Sequence, residues 1–121
     1  MVSSSTQEGI FVLHLAGEIN INSLTETRSK VDALRLDQHP RIIVNLEKVS
    51  FFDSSGLGYL VVLIKQVKQN NHLIVFCSPN NLVKRLLSTI RIDKYVSIFE
   101  SQPEAVEFLN SQVLAETEPT V

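Results

Sequence analysis

Apolar residues follow two rhythms along the chain. Short, nearly continuous runs stand at Ile10–Ala16 (IFVLHLA), Arg41–Leu46 (RIIVNL) and His72–Cys77 (HLIVFC). Rich in Ile, Val, Leu and Phe, they read as strands, and unbroken runs of this kind suit a mostly parallel sheet covered on both faces. Val96–Phe99 reads as a short last strand, and residues 1–8 as a short edge strand or a loose lead, with a turn at Gly9. Between the runs, apolar residues recur at helical spacing. Ser23 to about Leu36 carries Leu24, Val31 and Leu34 on one face, opened by Ser23 and Glu26 at capping-box spacing. Leu57–Lys68 carries Leu57, Leu60, Val61, Ile64 and Val67, which leaves Tyr59, Val62 and Gln66 pointing outward. A third helix opens at Ser78-Pro79, with Ser78 as N-cap and Pro79 at the first helical position. It has an apolar side of Leu82, Leu86, Leu87 and Ile90 and a basic side of Lys84, Arg85 and Arg91. A fourth opens at Ser101, with a second capping box to Glu104 and a buried side of Ala105, Val106, Leu109 and Val113. The order is strand, helix, repeated four times, which reads as an α/β fold.

A chain of 121 residues suits one domain, 1–121, with a core over about 8–114 and a loose tail at 115–121. A net charge of −2 gives no nucleic-acid footprint. The single cysteine, Cys77, lies in an apolar run as a core thiol and fits a reducing compartment. No apolar run reaches the length of a membrane span, and no secretory leader is recognisable at Met1–Thr6, so the expected setting is the cytoplasm, without a membrane partner.

The chemistry concentrates at Phe51-Phe52-Asp53-Ser54-Ser55-Gly56-Leu57-Gly58, between the second strand run and the second helix. A strand-to-helix corner places two serines at a helix N-terminus, where unpaired N–H groups and the positive end of the helix dipole favour an anion. Phosphate on Ser54 or Ser55 is one such anion. Ser54 is a good N-cap residue, and Gly56 and Gly58, lacking Cβ, let another chain come close. An ordinary capped turn fits the same residues. Catalytic machinery is not legible: the corner lacks a Gly-x-Ser-x-Gly elbow and has no histidine near it in sequence. No metal-ligand spacing is found, and neither a complete dinucleotide fingerprint nor a Gly-Lys-Ser/Thr loop, so no cofactor and no catalytic residue is expected. His14 reads as a structural residue of the first strand.

At Asp53-Ser54-Ser55-Gly56-Leu57-Gly58 the sequence resembles the STAS domain family, and within it the stand-alone bacterial anti-sigma factor antagonists. Gly17-Glu18-Ile19-Asn20, Asn45–Phe52 and Val83-Lys84-Arg85-Leu86-Leu87 resemble further family segments, so the likeness extends over roughly residues 8–112. The resemblance implies the STAS fold, a small, mixed, mostly parallel sheet of four to five strands with about four helices, and a non-enzymatic switch. It makes Ser54 the phosphorylated residue, with Ser55 the secondary alternative. It implies two partners: a serine kinase that doubles as an anti-sigma factor, bound only by the unphosphorylated form, and a PP2C-type phosphatase. The implied contact surface is Asn20, Asp53, Ser54, Ser55, Gly56, Leu57, Gly58, Tyr59, Val62 and Leu86. Asn20 departs from the aspartate frequent in the family and also suits a plain turn. Three other outputs remain open on sequence: a partner-switching regulator of metabolism or secretion without a sigma factor, a unit of a scaffold, and a nucleotide-binding module.

Overall fold

A computed structural model describes the backbone of residues 1–117 and the side chains of residues 1–112. Five strands form one sheet in the order β1 (Val2–Gln7), β2 (Ile10–Ile19), β3 (Arg41–Phe52), β4 (Leu73–Cys77) and β5 (Ile98–Phe99). Only β1 runs antiparallel to its neighbour; β2 to β5 are parallel. The polar start of the chain is therefore an edge strand, joined to β2 by a tight turn in which Glu8 and Gly9 both have positive φ, 52° and 78°. Two positive φ values are what a two-residue hairpin matched to strand twist requires.

Four α-helices cover the sheet: α1 (Leu24–Ala33), α2 (Ser54–Gln69), α3 (Asn81–Thr89) and α4 (Gln102–Thr117). Because side chains alternate along a strand, each strand feeds two cores. Phe11, Leu13 and Leu15 of β2 and Ile42, Val44 and Leu46 of β3 pack with Val31 of α1, with Leu60, Ile64 and Val67 of α2, and with Val83 and Leu87 of α3. Ile10, Val12, Ile43, Val75 and Cys77 pack on the other face under Ala105, Val106 and Leu109 of α4. The apolar runs are continuous because both faces are covered, as expected. Where the α4 core meets β1, a polar chain closes it. Buried Asn45 donates to Gln102 Oε1 (2.8 Å), and Gln102 donates to Gln7 Oε1 (2.7 Å). His14 lies on this face, its Nε2 sharing a 2.9 Å hydrogen bond with Ser5 Oγ.

Several local expectations are corrected. Strand β3 runs past Leu46 to Phe52, paired with β2 through two register shifts, with Glu47, Lys48 and Ser50 exposed and Asn45 buried. Ser23 precedes α1 but makes no capping bond: its hydroxyl donates to Glu18 O (2.8 Å), and Glu26 pairs with Lys30 instead. Helix α1 ends at Ala33, and Leu36–Gln38 form a separate 3-10 turn after Arg35 takes a left-handed conformation. The third helix starts at Asn81, capped by Asn80 rather than Ser78, so Pro79 precedes the cap. On α3 the buried residues are Val83 and Leu87; Leu82 faces solvent, Ile90 is exposed and Leu86 is half-buried. Leu63 joins the core of α2, which the expected stripe omitted, whereas Val61 is only half-buried. The Val113 side chain lies outside the described residues. So does the expected tail from residue 118 onward, α4 itself continuing to Thr117.

Candidate functional site

The corner after β3 is built by one carboxylate. Asp53, not Ser54, is the N-cap of α2: its Oδ1 accepts the Gly56 N–H at 2.8 Å. Its Oδ2 accepts the Ile21 N–H at 2.9 Å, reaching across to the loop between β2 and α1. The Asp53 N–H donates to Ile19 O at 3.3 Å, so the end of β2 and the start of α2 are stitched on both sides of the same residue. These backbone donors, Gly56 first and Ile21 second, hold the Asp53 carboxyl below its ordinary value of 3.8, which keeps it an anion. The N-terminus of α2 thus already holds a resident negative charge.

That choice of cap frees the serine. Ser54 is the first residue of α2, exposed, and its hydroxyl takes no part in the hydrogen bonds of the corner. Ser55 beside it is half-buried. Ser54, Gly58 and Val62 follow at helical spacing of four along the open side of α2, and all three are exposed.

The two glycines divide the labour differently from the sequence expectation. A Cβ on Gly56 would lie 2.2 Å from Ile19 O, so the space is used by this chain's own backbone and not by a visitor. A Cβ on Gly58 would meet nothing within 4 Å, and that is the position open to another chain. Leu57 is buried in the core under α2. Tyr59, expected to face outward, is 4% exposed and belongs to the same core. The physical reason is the rotation of α2: its buried face is wide enough to take Gly56, Tyr59 and Leu63 beside Leu60, Ile64 and Val67. Burial pushes the Tyr59 hydroxyl up to about 12, with Asp32 adding to the shift and Arg28 opposing it, and the Arg28 guanidinium lies 5.3 Å from the ring centre.

The Gly17–Asn20 stretch does come to the serine corner. Asn20 is half-buried, and its Oδ1 accepts the N–H groups of Asn22 (2.9 Å) and Ser23 (3.1 Å), which fixes a turn. Leu86 sits on α3, half-buried against the core, and the hydrogen bonds of the corner do not reach it. Ile21, brought to the corner by its bond to Asp53, was not expected there. Its signal was an apolar residue inside an otherwise polar turn. Among the described residues no group of three His, Cys, Asp or Glu side chains is placed to hold a metal ion, and no helix is long and apolar enough to cross a membrane.

Comparison with known proteins follows the same outline. An anti-sigma F factor antagonist of Paenibacillus polymyxa is 28% identical over 99 residues, spanning 81% of this chain and 85% of that protein. The crystal structure of an anti-sigma factor antagonist from Mycobacterium paratuberculosis superposes with a TM-score of 0.81 at 17% identity, covering 91% of this chain and 93% of that one. The Bacillus cell fate determinant SpoIIAA in its phosphorylated form superposes with a TM-score of 0.66 at 18% identity, covering 90% and 99%. At these identities the two structures speak for the fold. Residues 2–105 match the STAS domain, and the chain belongs to the STAS domain family.

Proposed function

We propose that this protein is an anti-sigma factor antagonist: a cytoplasmic protein-binding switch set by phosphorylation of Ser54. The observation that carries the reading is the free Ser54 hydroxyl on the first turn of α2, exposed because Asp53 has taken the capping role. The name of the Paenibacillus polymyxa relative supports the output, and SpoIIAA, of the same fold, exists in a phosphorylated form.

In this reading the chain is a substrate and not an enzyme. The unphosphorylated corner docks on a serine kinase that also acts as an anti-sigma factor. The contact surface is Ser54, Ser55, Gly58 and Val62, with Asn20 and Leu86 at its margins. Gly56, Leu57 and Tyr59 shape it from beneath, and Asp53 holds it in place. Phosphorylation adds roughly −1.5 to −2 charges. That charge arises beside the Asp53 carboxylate, which already holds the Gly56 N–H, so the second anion meets a like charge at the helix end. Buried in a docked interface it also loses hydration. A loss of about 1.4 kcal/mol weakens binding tenfold, so no rearrangement of the fold is needed for release. A PP2C-type phosphatase resets the switch.

Phosphosite mapping of the protein from its own cells tests this, with Ser54→Ala alongside. A phosphatase-removable phosphate on Ser54, absent from Ser54→Ala while that variant still binds the kinase, is the expected result. Full phosphorylation of Ser54→Ala would move the site elsewhere.

A further inference from the structure

We infer that Ile21 belongs to the surface the kinase reads, held beside the acceptor turn by the Asp53 carboxylate, so that Ser54 and this apolar side chain are recognised together. The inference rests on the reading of Ser54 as the acceptor.

Ile21 is 65% exposed, more than Phe51, Val62, Leu82, Ile90 or Tyr95. A single exposed apolar residue is ordinary on a protein surface. What sets Ile21 apart is where its backbone is held. Its N–H donates to Asp53 Oδ2 at 2.9 Å, the same carboxylate whose Oδ1 fixes the first turn of α2 through Gly56. The residue before it is pinned as well: the Asn20 N–H donates to Ser23 Oγ (3.1 Å), while Asn20 Oδ1 accepts from Asn22 and Ser23. The side chain is β-branched, which restricts its rotamers further. A preset apolar side chain contributes more to binding than a mobile one, because little freedom is left to lose on docking.

Ile21 also opens onto a groove of about 480 Å³ along the exposed side of α1, lined with Leu24, Thr25, Arg28, Ser29 and Asp32. Its two charges are of opposite sign, so the groove favours neither an acidic nor a basic visitor. Its apolar part is Ile21 with Leu24, so the contact it offers the kinase is apolar at that end and polar along Thr25, Arg28, Ser29 and Asp32. Asp53 acts here as a positioning residue. It fixes the acceptor turn through Gly56 and the apolar contact through Ile21, and it makes their spacing a single rigid feature.

The test is steady-state phosphorylation by the partner kinase of the source organism with ATP, comparing wild type with Ile21→Ser, Ile21→Val, Asp53→Asn and the double variant Ile21→Ser/Asp53→Asn. Ile21→Ser is expected to raise KM about tenfold, equivalent to about 1.4 kcal/mol of lost contact, with kcat within about twofold and an unchanged melting temperature. Ile21→Val should restore most of the affinity. In the Asp53→Asn background Ile21→Ser should cost much less, since the loop is no longer held at the corner. An unchanged KM for Ile21→Ser, with wild type phosphorylated normally on Ser54, overturns this inference and leaves the acceptor assignment standing. Equal effects of Ile21→Ser in both backgrounds overturn the role given to Asp53. A wild-type protein that the kinase does not modify at Ser54 removes the acceptor assignment and this inference with it.

Discussion

Asp53 and Ser54 are both residue types that cap helices, and which of them does so decides the chemistry of the corner. A capping Ser54 would have its hydroxyl committed to an N–H of its own helix. With Asp53 in that role, the hydroxyl is free. Sequence reasoning put both residues at the corner and gave the cap to Ser54, because the choice depends on where β3 ends. With the strand taken to stop at Leu46, nothing fixes the phase of the helix start; with β3 running to Phe52, Asp53 is the first residue out of the strand. The glycines show the same limit. Both were legible as special, but only the position of Ile19 O separates them. Gly56→Ala places a methyl 2.2 Å from that carbonyl, and backbone cannot swing away as a side-chain tip can. It should destabilise the fold by about 3 kcal/mol or more, at the upper end of the overpacking range. Gly58→Ala meets open space in a helix and should raise stability by up to about 1 kcal/mol. Thermal melts of the two variants check this directly. A mild Gly56→Ala would mean that α2 can lift off the end of β2.

Among the elements, α3 has the least obvious start. Asn80 Oδ1 accepts the Val83 N–H at 2.8 Å, while Asn80 Nδ2 donates to Val49 O at 3.0 Å. One side chain therefore caps a helix and satisfies a carbonyl of β3 beyond the last residue paired with β4, since that pairing ends at Asn45 and Cys77. The two halves can be separated. Asn80→Asp keeps the acceptor and loses the donor; Asn80→Ala loses both. The expected order of stability is wild type, then Asp, then Ala, with Ala down by about 1–2 kcal/mol from the cap and the unpaired carbonyl together. Denaturant midpoints of the three proteins measure it, and equal stability of Asp and wild type would show that Val49 O needs no partner. Sequence reasoning chose Ser78-Pro79 because that pair resembles a helix start locally. The contact that selects Asn80 comes from a residue 31 positions away, which no local pattern contains. The same holds for Ser23-x-x-Glu26, whose serine is drawn to Glu18 O instead. Long apolar runs, by contrast, were read correctly as strands covered on both faces, because burial on two sides leaves its mark in every residue of the run.

At the scale of the molecule, the corner stands on a sheet with two cores, and Phe52 and Leu57 on either side of Ser54 reach into one of them. Three helices close one face and α4 the other, and the contacts that define them lie in buried side chains of β2, β3 and β4. Ser54 contributes to neither core, and its hydroxyl is engaged with nothing in the corner. A phosphate there feels two opposing local effects. The positive end of the α2 dipole favours it, typically by about 0.3–1 kcal/mol at an exposed site. The Asp53 carboxylate, held as an anion by Gly56 and Ile21, opposes it. The effects act on one turn of one helix and offset each other, so phosphorylated and unphosphorylated protein should melt within about 4 °C, the shift that roughly 1 kcal/mol produces in a domain of this size. Amide exchange should leave β2, β3 and β4 equally protected in both forms, with differences confined to Ile21 and to Ser55–Leu57, where the N–H groups around Asp53 lie. Binding to the kinase should differ by far more than stability does, because the interface receives the full charge while the cores receive none of it. Loss of protection across β2 and β3 on phosphorylation would contradict this. It would mean that Asp53 couples the acceptor to the sheet itself, through the Ile19 carbonyl, and that the switch works by loosening the fold rather than by altering one surface.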